Sequence, residues 1–188
     1  MNLSAPTKGL LWSLLSFGMA FGIYFLFLKK ENSYLADNAS LQTMYLSING
    51  GAVLSVAPQQ SIKVNLNKGK NQVKLLDEQQ KPVFDTTFEV HKTRGLLNLA
   101  KVDYYINRQY YGYNVNKDSV FLISKTQIDG KLYQGDVQKT KAFYSEKFYY
   151  NLDEDYDPII KNIDKLESRS KIFRKTDFIN YYKQYYHQ

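Results

Sequence analysis

Few side chains in this sequence have the chemistry of a catalytic or metal-binding site. None of its 188 residues is a cysteine, and only His91 and His187 are histidines. Thiolate ligands and a histidine-rich metal site are therefore excluded, and a serine–histidine–carboxylate set would need one of these two histidines. The chain also has no glycine-rich phosphate loop. We predict that the protein is not an enzyme and that it binds no metal or cofactor.

One acidic run has the spacing of a calcium loop. Asp153-Glu154-Asp155-Tyr156-Asp157 places carboxylates at alternate positions, and Asp164 follows at the twelfth position. A calcium loop of this type needs glycine at its sixth position, where Pro158 stands with its φ held near −65°. The run instead indicates the start of a helix, with Asp157 as N-cap and Pro158 as the first helical residue.

A group of aromatic residues near the C-terminus is suited to binding. A helix that begins near Thr176 would place four of them on one face, at positions i, i+3, i+4 and i+7: Phe178, Tyr181, Tyr182 and Tyr185. Basic residues precede this stripe. The pattern favours a helix that packs on its own sheet, and it leaves open a helix that docks on a partner or lies on a membrane.

Tyrosines also crowd into a predicted strand. They are Tyr104, Tyr105, Tyr110, Tyr111 and Tyr113. Because consecutive strand residues face opposite sides, each tyrosine pair would direct one ring inward and one outward. This arrangement favours a shallow core with hydroxyls at its edge. The alternative is an outward aromatic surface that binds a glycan or a peptide.

The elements that must position these side chains are mainly strands. Apolar and polar residues alternate between 44 and 92, and turn residues such as Asn49-Gly50-Gly51 separate the runs at intervals of about ten residues. Further strands are predicted at 102–111, 120–123 and 142–150. This spacing is typical of a small antiparallel sandwich.

Residues 10–28 are an uninterrupted apolar run. The nineteen residues contain no charge, and a helix of this length would extend roughly 28 Å, close to the hydrocarbon thickness of a bilayer. A cleaved signal peptide is disfavoured, because the run is longer than usual, ends in bulky residues and is followed by Lys29 and Lys30. We predict a retained single-pass transmembrane helix, a signal anchor.

Two glycines inside this run, Gly18 and Gly22, form a GxxxG motif. Glycines four apart lie on one helix face and permit close approach of another helix backbone. We predict that they contact another subunit or a second copy of the chain. The alternative is that they face lipid, since glycine is common in membrane helices.

The charge of the chain restricts its partners. Its formal net charge is +7, its lysines are scattered, and all 18 acidic residues follow the apolar run. This distribution favours attraction to anionic lipid headgroups or to an acidic partner over nucleic-acid binding. The positive charges that flank the run are nearly balanced. A β-rich domain behind an uncleaved N-terminal anchor is a common arrangement on the outer face of a membrane. We therefore place the C-terminal domain on the outer, periplasmic or extracytoplasmic, side.

The sequence therefore predicts a mainly β protein with C-terminal helices behind one membrane anchor. The predicted segments are a tail at 1–9, a transmembrane helix at 10–28, a linker or stalk at 29–43, a β-rich domain at 44–152 and a helical segment at 153–188. The predicted function is that of a structural or accessory subunit of a membrane or envelope complex, acting by protein–protein contacts. The alternative is an anchored module that binds a glycan or a peptide with surface tyrosines.

Overall fold

The computed structural model of the chain describes residues 5–25, 32–111, 124–158 and 167–186. The predicted strand at 120–123 and most of the helix predicted after Pro158 lie outside these residues. The chain divides into two units, Met1–Asn32 and Ser33–Gln188.

Within its described residues the first unit contains one helix, α1, which extends over Ala5–Ile23. No helix within the described residues is both long and apolar enough to cross a membrane. The predicted span at 10–28 thus differs from the helix in its bounds. The helix begins earlier and includes Pro6, Thr7 and Lys8, and residues 26–28 of the apolar run lie outside the described part.

The second unit contains thirteen strands and a C-terminal helix within the described residues. The strands are β1 Ser33–Asn38, β2 Met44–Ile48, β3 Leu54–Val56, β4 Gln60–Lys63, β5 Gly69–Leu76, β6 Pro82–Val90, β7 Arg94–Asn98, β8 Tyr104–Tyr111, β9 Lys125–Ile128, β10 Lys131–Gln134, β11 Val137–Thr140, β12 Tyr144–Ser145 and β13 Glu167–Arg174. Helix α2 extends over Lys175–Tyr186. A mainly β fold with several antiparallel sheets and a C-terminal helix is thus confirmed.

The strands form three sheets and a hairpin. The first sheet has the order β3-β2-β5-β6, the second β12-β7-β1-β4 and the third β11-β8-β13, while β9 and β10 form the hairpin. Among the named strands of the described residues, all pairs are antiparallel except β1 with β7, which is parallel. The chain makes the predicted tight turns where it can adopt positive φ, as at Asn49 (51°) and Gly50 (71°) between β2 and β3.

A first core joins the first and second sheets. Its buried side chains are Tyr34, Ala36, Leu46, Val56, Val64, Leu66, Val73, Leu75, Val90, Leu97 and Leu99. These include the apolar members of the alternating runs, so the polar members lie on the outer face of the first sheet.

A second core joins the second sheet to the third. Its buried side chains are Leu35, Leu96, Tyr104, Ile106, Phe148 and Ile172. Along β1, Tyr34 and Ala36 pack in the first core while Leu35 packs in the second, because successive strand residues face opposite sides. The region predicted as a linker, 29–43, therefore contains a strand that is buried on both faces.

A third core joins the third sheet, the hairpin and α2. Its buried side chains are Tyr105, Ile128, Tyr133, Val137, Phe173, Phe178 and Tyr182. The helical segment predicted at 153–188 is therefore partly strand, since β13 pairs with β8 over its whole length before α2 begins. Tyr104 and Tyr105 are both buried, in two different cores, so β8 presents no outward aromatic surface at this pair.

Candidate functional site

The predicted aromatic stripe of α2 is divided between core and surface. Phe178 is fully buried and Tyr182 nearly so, whereas Tyr181 is half-buried and Tyr185 is 61% exposed. The helix therefore rests on its own sheet through one side of the stripe. The other side remains available for contacts.

Aromatic contacts hold the buried side of the stripe. The ring of Phe178 stacks on Tyr105 at 5.6 Å between centroids, and Tyr182 meets Tyr133 edge-to-face at 4.9 Å. The backbone N–H of Gln134 donates to the Tyr182 hydroxyl at 3.0 Å. The tyrosine hydroxyl thereby finds a partner at the end of the hairpin strand β10 instead of remaining unpaired in the core.

The exposed side of the stripe lines a groove with a volume of about 710 Å³. Its aromatic wall is a chain of touching rings. Tyr181 lies 5.0 Å from Phe173, 5.6 Å from Tyr156 and 4.7 Å from Tyr185, between ring centroids. We name this feature the α2 groove.

Polar residues complete the lining of the α2 groove: Gln109, Asp155, Asp157, Lys171, Asp177, Asn180 and Gln184. The carboxylate of Asp155 accepts from the Lys171 ammonium at 3.0 Å, and Asp157 pairs with Arg169, which lies outside the lining. Asp177 forms no salt bridge with any other described residue. Among the described residues, the lining thus holds three carboxylates and one ammonium.

Tyr156 is held rigidly at the groove. Its hydroxyl donates to the backbone oxygen of Asn107 at 2.7 Å and accepts from the Asn107 side-chain amide at 3.0 Å. Asn107 is itself buried within β8. Because both hydrogen bonds fix the ring before any ligand arrives, this part of the wall is preorganised.

A buried ion pair fixes the start of α2. Arg174 is the last residue of β13, and its guanidinium pairs with the carboxylate of Asp37 on β1, with Nε 3.0 Å from Oδ2. A second guanidinium nitrogen donates to the backbone oxygen of Gln59 at 2.9 Å. The Tyr104 hydroxyl also donates to Asp37. Hydrogen bonds to Asp37 raise the pKa of Arg174, while burial and then the Asp37 charge raise the pKa of Tyr104.

A second cluster of arginines and tyrosines lies at the edge of the third sheet. The ring centroid of Tyr149 lies 5.3 Å from the guanidinium carbon of Arg94 and 5.0 Å from that of Arg169. Arg94 also forms a bidentate pair with Glu154, and burial raises the pKa of Tyr111 to about 12. Each arginine already has a carboxylate partner, so we assign the cluster a role in stabilising the fold.

The GxxxG glycines lie on an exposed helix. Apart from the glycine itself, its chain neighbours and the adjacent helix backbone, no atom lies within 4 Å of a β-carbon built at Gly18 or at Gly22. The large apolar side chains of α1 are between 49% and 71% exposed. They are Leu10, Leu11, Trp12, Leu14, Leu15, Phe17, Met19, Phe21 and Ile23. The structure therefore brings no partner to these glycines within the described residues.

The described part of the chain contains no group of three histidine, cysteine, aspartate or glutamate residues placed to hold a metal ion. His91 lies at the surface, 3.5 Å from Glu89, and His187 is outside the described residues. The arrangement at the α2 groove can bind through ring stacking, hydrogen bonds and charge.

Sequence reasoning found the α2 stripe but missed most of the groove. Tyr156, Lys171 and Asp155 join it from other segments. The acidic run that contains Asp155 and Tyr156 indicated the start of a helix, and its pattern does not place it beside α2. The comparisons with known proteins add no further residue. No family model matches the chain, and no curated protein or solved structure matches it either.

Proposed function

We propose that the chain is a membrane-anchored structural or accessory subunit of a membrane or envelope complex, and that it acts by protein–protein contacts. One observation supports this most directly, the exposure of the large apolar side chains all around α1. A helical surface of this kind is covered in the cell by lipid or by another helix. The apolar composition of 10–28 is the basis for assigning a single-pass anchor.

Within this proposal the two units have different roles. The apolar helix inserts in the bilayer and contacts a neighbouring span, or a second copy, at Gly18 and Gly22. The β-rich unit lies on the outer side of the membrane and presents the α2 groove. Its three cores make it a rigid platform for a partner.

Purification in mild detergent tests the proposal. We expect a tagged chain to retain a stoichiometric partner or a second copy, and Gly18→Ile with Gly22→Ile to reduce this association about fivefold or more, because β-branched side chains separate the backbones. Gly9→Ile is the matched control. It lies nine residues from Gly18, about half a turn around the helix. A chain that purifies alone, whichever glycine is changed, contradicts the proposal.

Labelling of single cysteines tests the orientation. The chain has no native cysteine, and Gln79 and Lys131 are exposed in the second unit. We expect Gln79→Cys and Lys131→Cys to react with a membrane-impermeant maleimide on intact cells. Reaction only after permeabilisation would place the unit on the cytoplasmic side.

The second candidate function is an anchored module that binds a glycan or a peptide. The α2 groove favours it, because exposed tyrosine rings stand beside amide side chains. This function requires no stoichiometric partner. A monomer that binds cell-wall glycan, with Tyr185→Ala weakening the binding, would favour it over the accessory subunit.

A further inference from the structure

We propose that the second unit contacts anionic lipid headgroups through a group of exposed lysines at the end where β1 begins. We name this group the lysine patch: Lys68, Lys70, Lys92 and Lys147. The inference rests on the proposed function, since it requires that residues 10–28 lie in a bilayer. It goes beyond that function because it assigns a lipid contact to the folded unit, separate from the anchor.

Hydrogen bonds fasten the loop between β6 and β7 to the start of β1. The backbone N–H of Ser33 donates to the backbone oxygen of Thr93 at 2.8 Å. The hydroxyl of Tyr34 donates to the backbone oxygen of Lys92, also at 2.8 Å. Lys92 and Thr93 are exposed. This loop therefore presents a lysine directly beside the first residue of β1.

The segment after β12 joins this loop through Glu146. Its carboxylate accepts from the backbone N–H groups of His91 at 3.0 Å and of Lys92 at 3.1 Å. Lys147 follows Glu146 directly in the chain and is exposed. The second lysine of the patch thus starts from a residue that touches the backbone of the first.

The β5–β6 hairpin supplies the other two lysines. Gly69 pairs with Val90 at the end of this ladder, and Lys70 pairs with Glu89. Lys68 directly precedes Gly69, and both lysines are exposed. Because Val90 is the last residue of β6, this end of the hairpin adjoins the loop that contains Lys92. Three separate segments thus bring lysines to one end of the unit.

The length of the connecting chain limits how far Ser33 can lie from the bilayer. The five residue steps from Leu28 to Ser33 span at most about 18 Å, whatever conformation they adopt. A headgroup layer takes up about 5–8 Å of this distance. The remainder is comparable to the screening length of about 8–10 Å at physiological salt. The charge of the lysine patch therefore acts on the lipid surface.

The residue type and the sequence favour lipid over an acidic protein as the occupant. Lys29 and Lys30 lie in the connection itself, so positive charge continues from the end of the apolar run to the patch. Lysine is a compact and strongly hydrated charge, which suits the diffuse field of anionic headgroups. A protein carboxylate is bound more specifically by the fork of an arginine.

Fluorescence quenching in reconstituted vesicles tests the inference with the full chain. Because the chain has no cysteine, Thr93→Cys introduces a single site for a dye beside the patch, the patch dye. Gln79→Cys carries the control dye, in the turn at the other end of the β5–β6 hairpin. The eight residues of β5 separate the two sites by about 25 Å. The quencher is a phosphatidylcholine with a nitroxide on its headgroup.

We expect the patch dye to be quenched more in vesicles with about one third phosphatidylglycerol than in vesicles of phosphatidylcholine alone. The control dye should be quenched equally in both. Salt of about 1 M shortens the screening length to about 3 Å and should remove the difference at the patch dye.

Removal of two lysines tests which residues are responsible. A lysine near an anionic surface shifts such an equilibrium about fivefold. Lys92→Gln with Lys147→Gln should therefore lower the ratio of quenched to unquenched protein about tenfold or more in the anionic vesicles. Lys81→Gln with Lys131→Gln is the matched control, since it removes the same charge from exposed residues outside the patch.

Three results would overturn the inference. The first is equal quenching of the patch dye in neutral and anionic vesicles. The second is a loss of quenching of the same size for the control pair of substitutions. The third is an acidic protein that co-purifies with the chain and is lost in Lys92→Gln with Lys147→Gln, while lipid charge has no effect.

Flotation of the chain with the vesicles distinguishes these failures from failure of the proposed function. A chain that floats with the vesicles but shows no effect of lipid charge at the patch dye keeps its anchor and loses only the lipid contact of the second unit. A chain that does not float with vesicles has no anchor, which contradicts the proposed function and this inference together.

Discussion

Arg174 and Asp37 are joined in the interior of the protein although 137 positions separate them in the chain. Asp37 is fully buried, and the Arg174 side chain is only 23% exposed. The pair links the second sheet to the last residue of β13, directly before α2 begins. Breaking it leaves one charge in the interior without its partner, which costs far more than losing a surface pair.

The first prediction follows from this pair. Asp37→Asn should lower the free energy of unfolding by about 3–5 kcal/mol, because the Arg174 guanidinium is left without a counter-charge. Urea unfolding of the full chain in mild detergent measures it. The exposed carboxylate of Asp85 gives the control, with a change of about 0.5 kcal/mol or less for Asp85→Asn. Equal effects of the two substitutions would mean that the buried pair adds no stability.

The second prediction concerns the space beside Gly95 on β7. A β-carbon built there lies 2.6 Å from two atoms of the Tyr144 side chain. Tyr144 cannot withdraw easily, since its ring stacks on Phe88 at 4.5 Å and its hydroxyl donates to Glu146 at 3.0 Å. Gly95→Ala should therefore cost about 1–3 kcal/mol.

Thermal melts of a double-mutant cycle check the cause of that loss. Tyr144→Ala removes the clashing ring, so the double variant should lose less stability than the two single changes added together. Strict additivity would show that the ring is not the obstacle at Gly95.

The third prediction is a pH dependence that involves Glu146. Burial raises the pKa of this carboxyl, but hydrogen bonds from the backbone N–H groups of Lys92 and His91 and from the Tyr144 hydroxyl outweigh that effect, so its pKa lies below the ordinary 4.5. A lowered folded-state pKa stabilises the fold above the unfolded pKa. That stability is lost as the pH falls through the folded value.

Glu146→Gln should thus lower the melting temperature by about 2–4 °C near pH 7, a loss of about 1 kcal/mol for a partly exposed group. The difference from the unchanged protein should shrink as the pH falls below about 4. The control is Glu78→Gln, which changes a carboxyl in the exposed turn before β6. A gap that stays constant down to low pH would contradict the role of the ionised carboxyl.

The fourth prediction separates the two sides of the α2 stripe. Tyr182→Ala should destabilise the unit by about 3 kcal/mol and lower the melting temperature by roughly 6–12 °C, because it empties part of a core. Tyr185→Ala changes a residue that is 61% exposed and should alter stability by about 0.5 kcal/mol or less. Similar melting curves for the two variants would mean that α2 is not docked as described.

The sequence predicted correctly those elements that pair with a neighbour close by in the chain. The turn at Asn49 and Gly50 and the strands on either side depend on residues within ten positions, and they form as predicted. The strand β1 was missed because its sequence, Ser33–Asn38, contains three polar residues. Its burial depends on strands far along the chain, because β7 pairs with it and Ile172 of β13 packs in the same core as Leu35.

In the candidate site too, local spacing predicts one part of the arrangement and distant contacts determine the rest. The spacing of Phe178 and Tyr182 predicts one helix face, but periodicity alone does not specify which ring is covered. The position of Tyr156 depends on two hydrogen bonds to Asn107, 49 positions away. Such contacts arise only when the third sheet and the preceding loop are assembled.

The place of β1 in the middle of the second sheet has a consequence for synthesis. Its parallel partner β7 begins about sixty residues later, which at roughly 5–20 residues per second takes a ribosome about 3–12 s to make. Through that interval β4 can cover one edge of β1, but the edge that β7 pairs with stays open, and an open edge on a strand with apolar residues on both faces is prone to pairing with other chains. A cell that makes this protein therefore has to keep the nascent strand apart from its neighbours until β7 arrives.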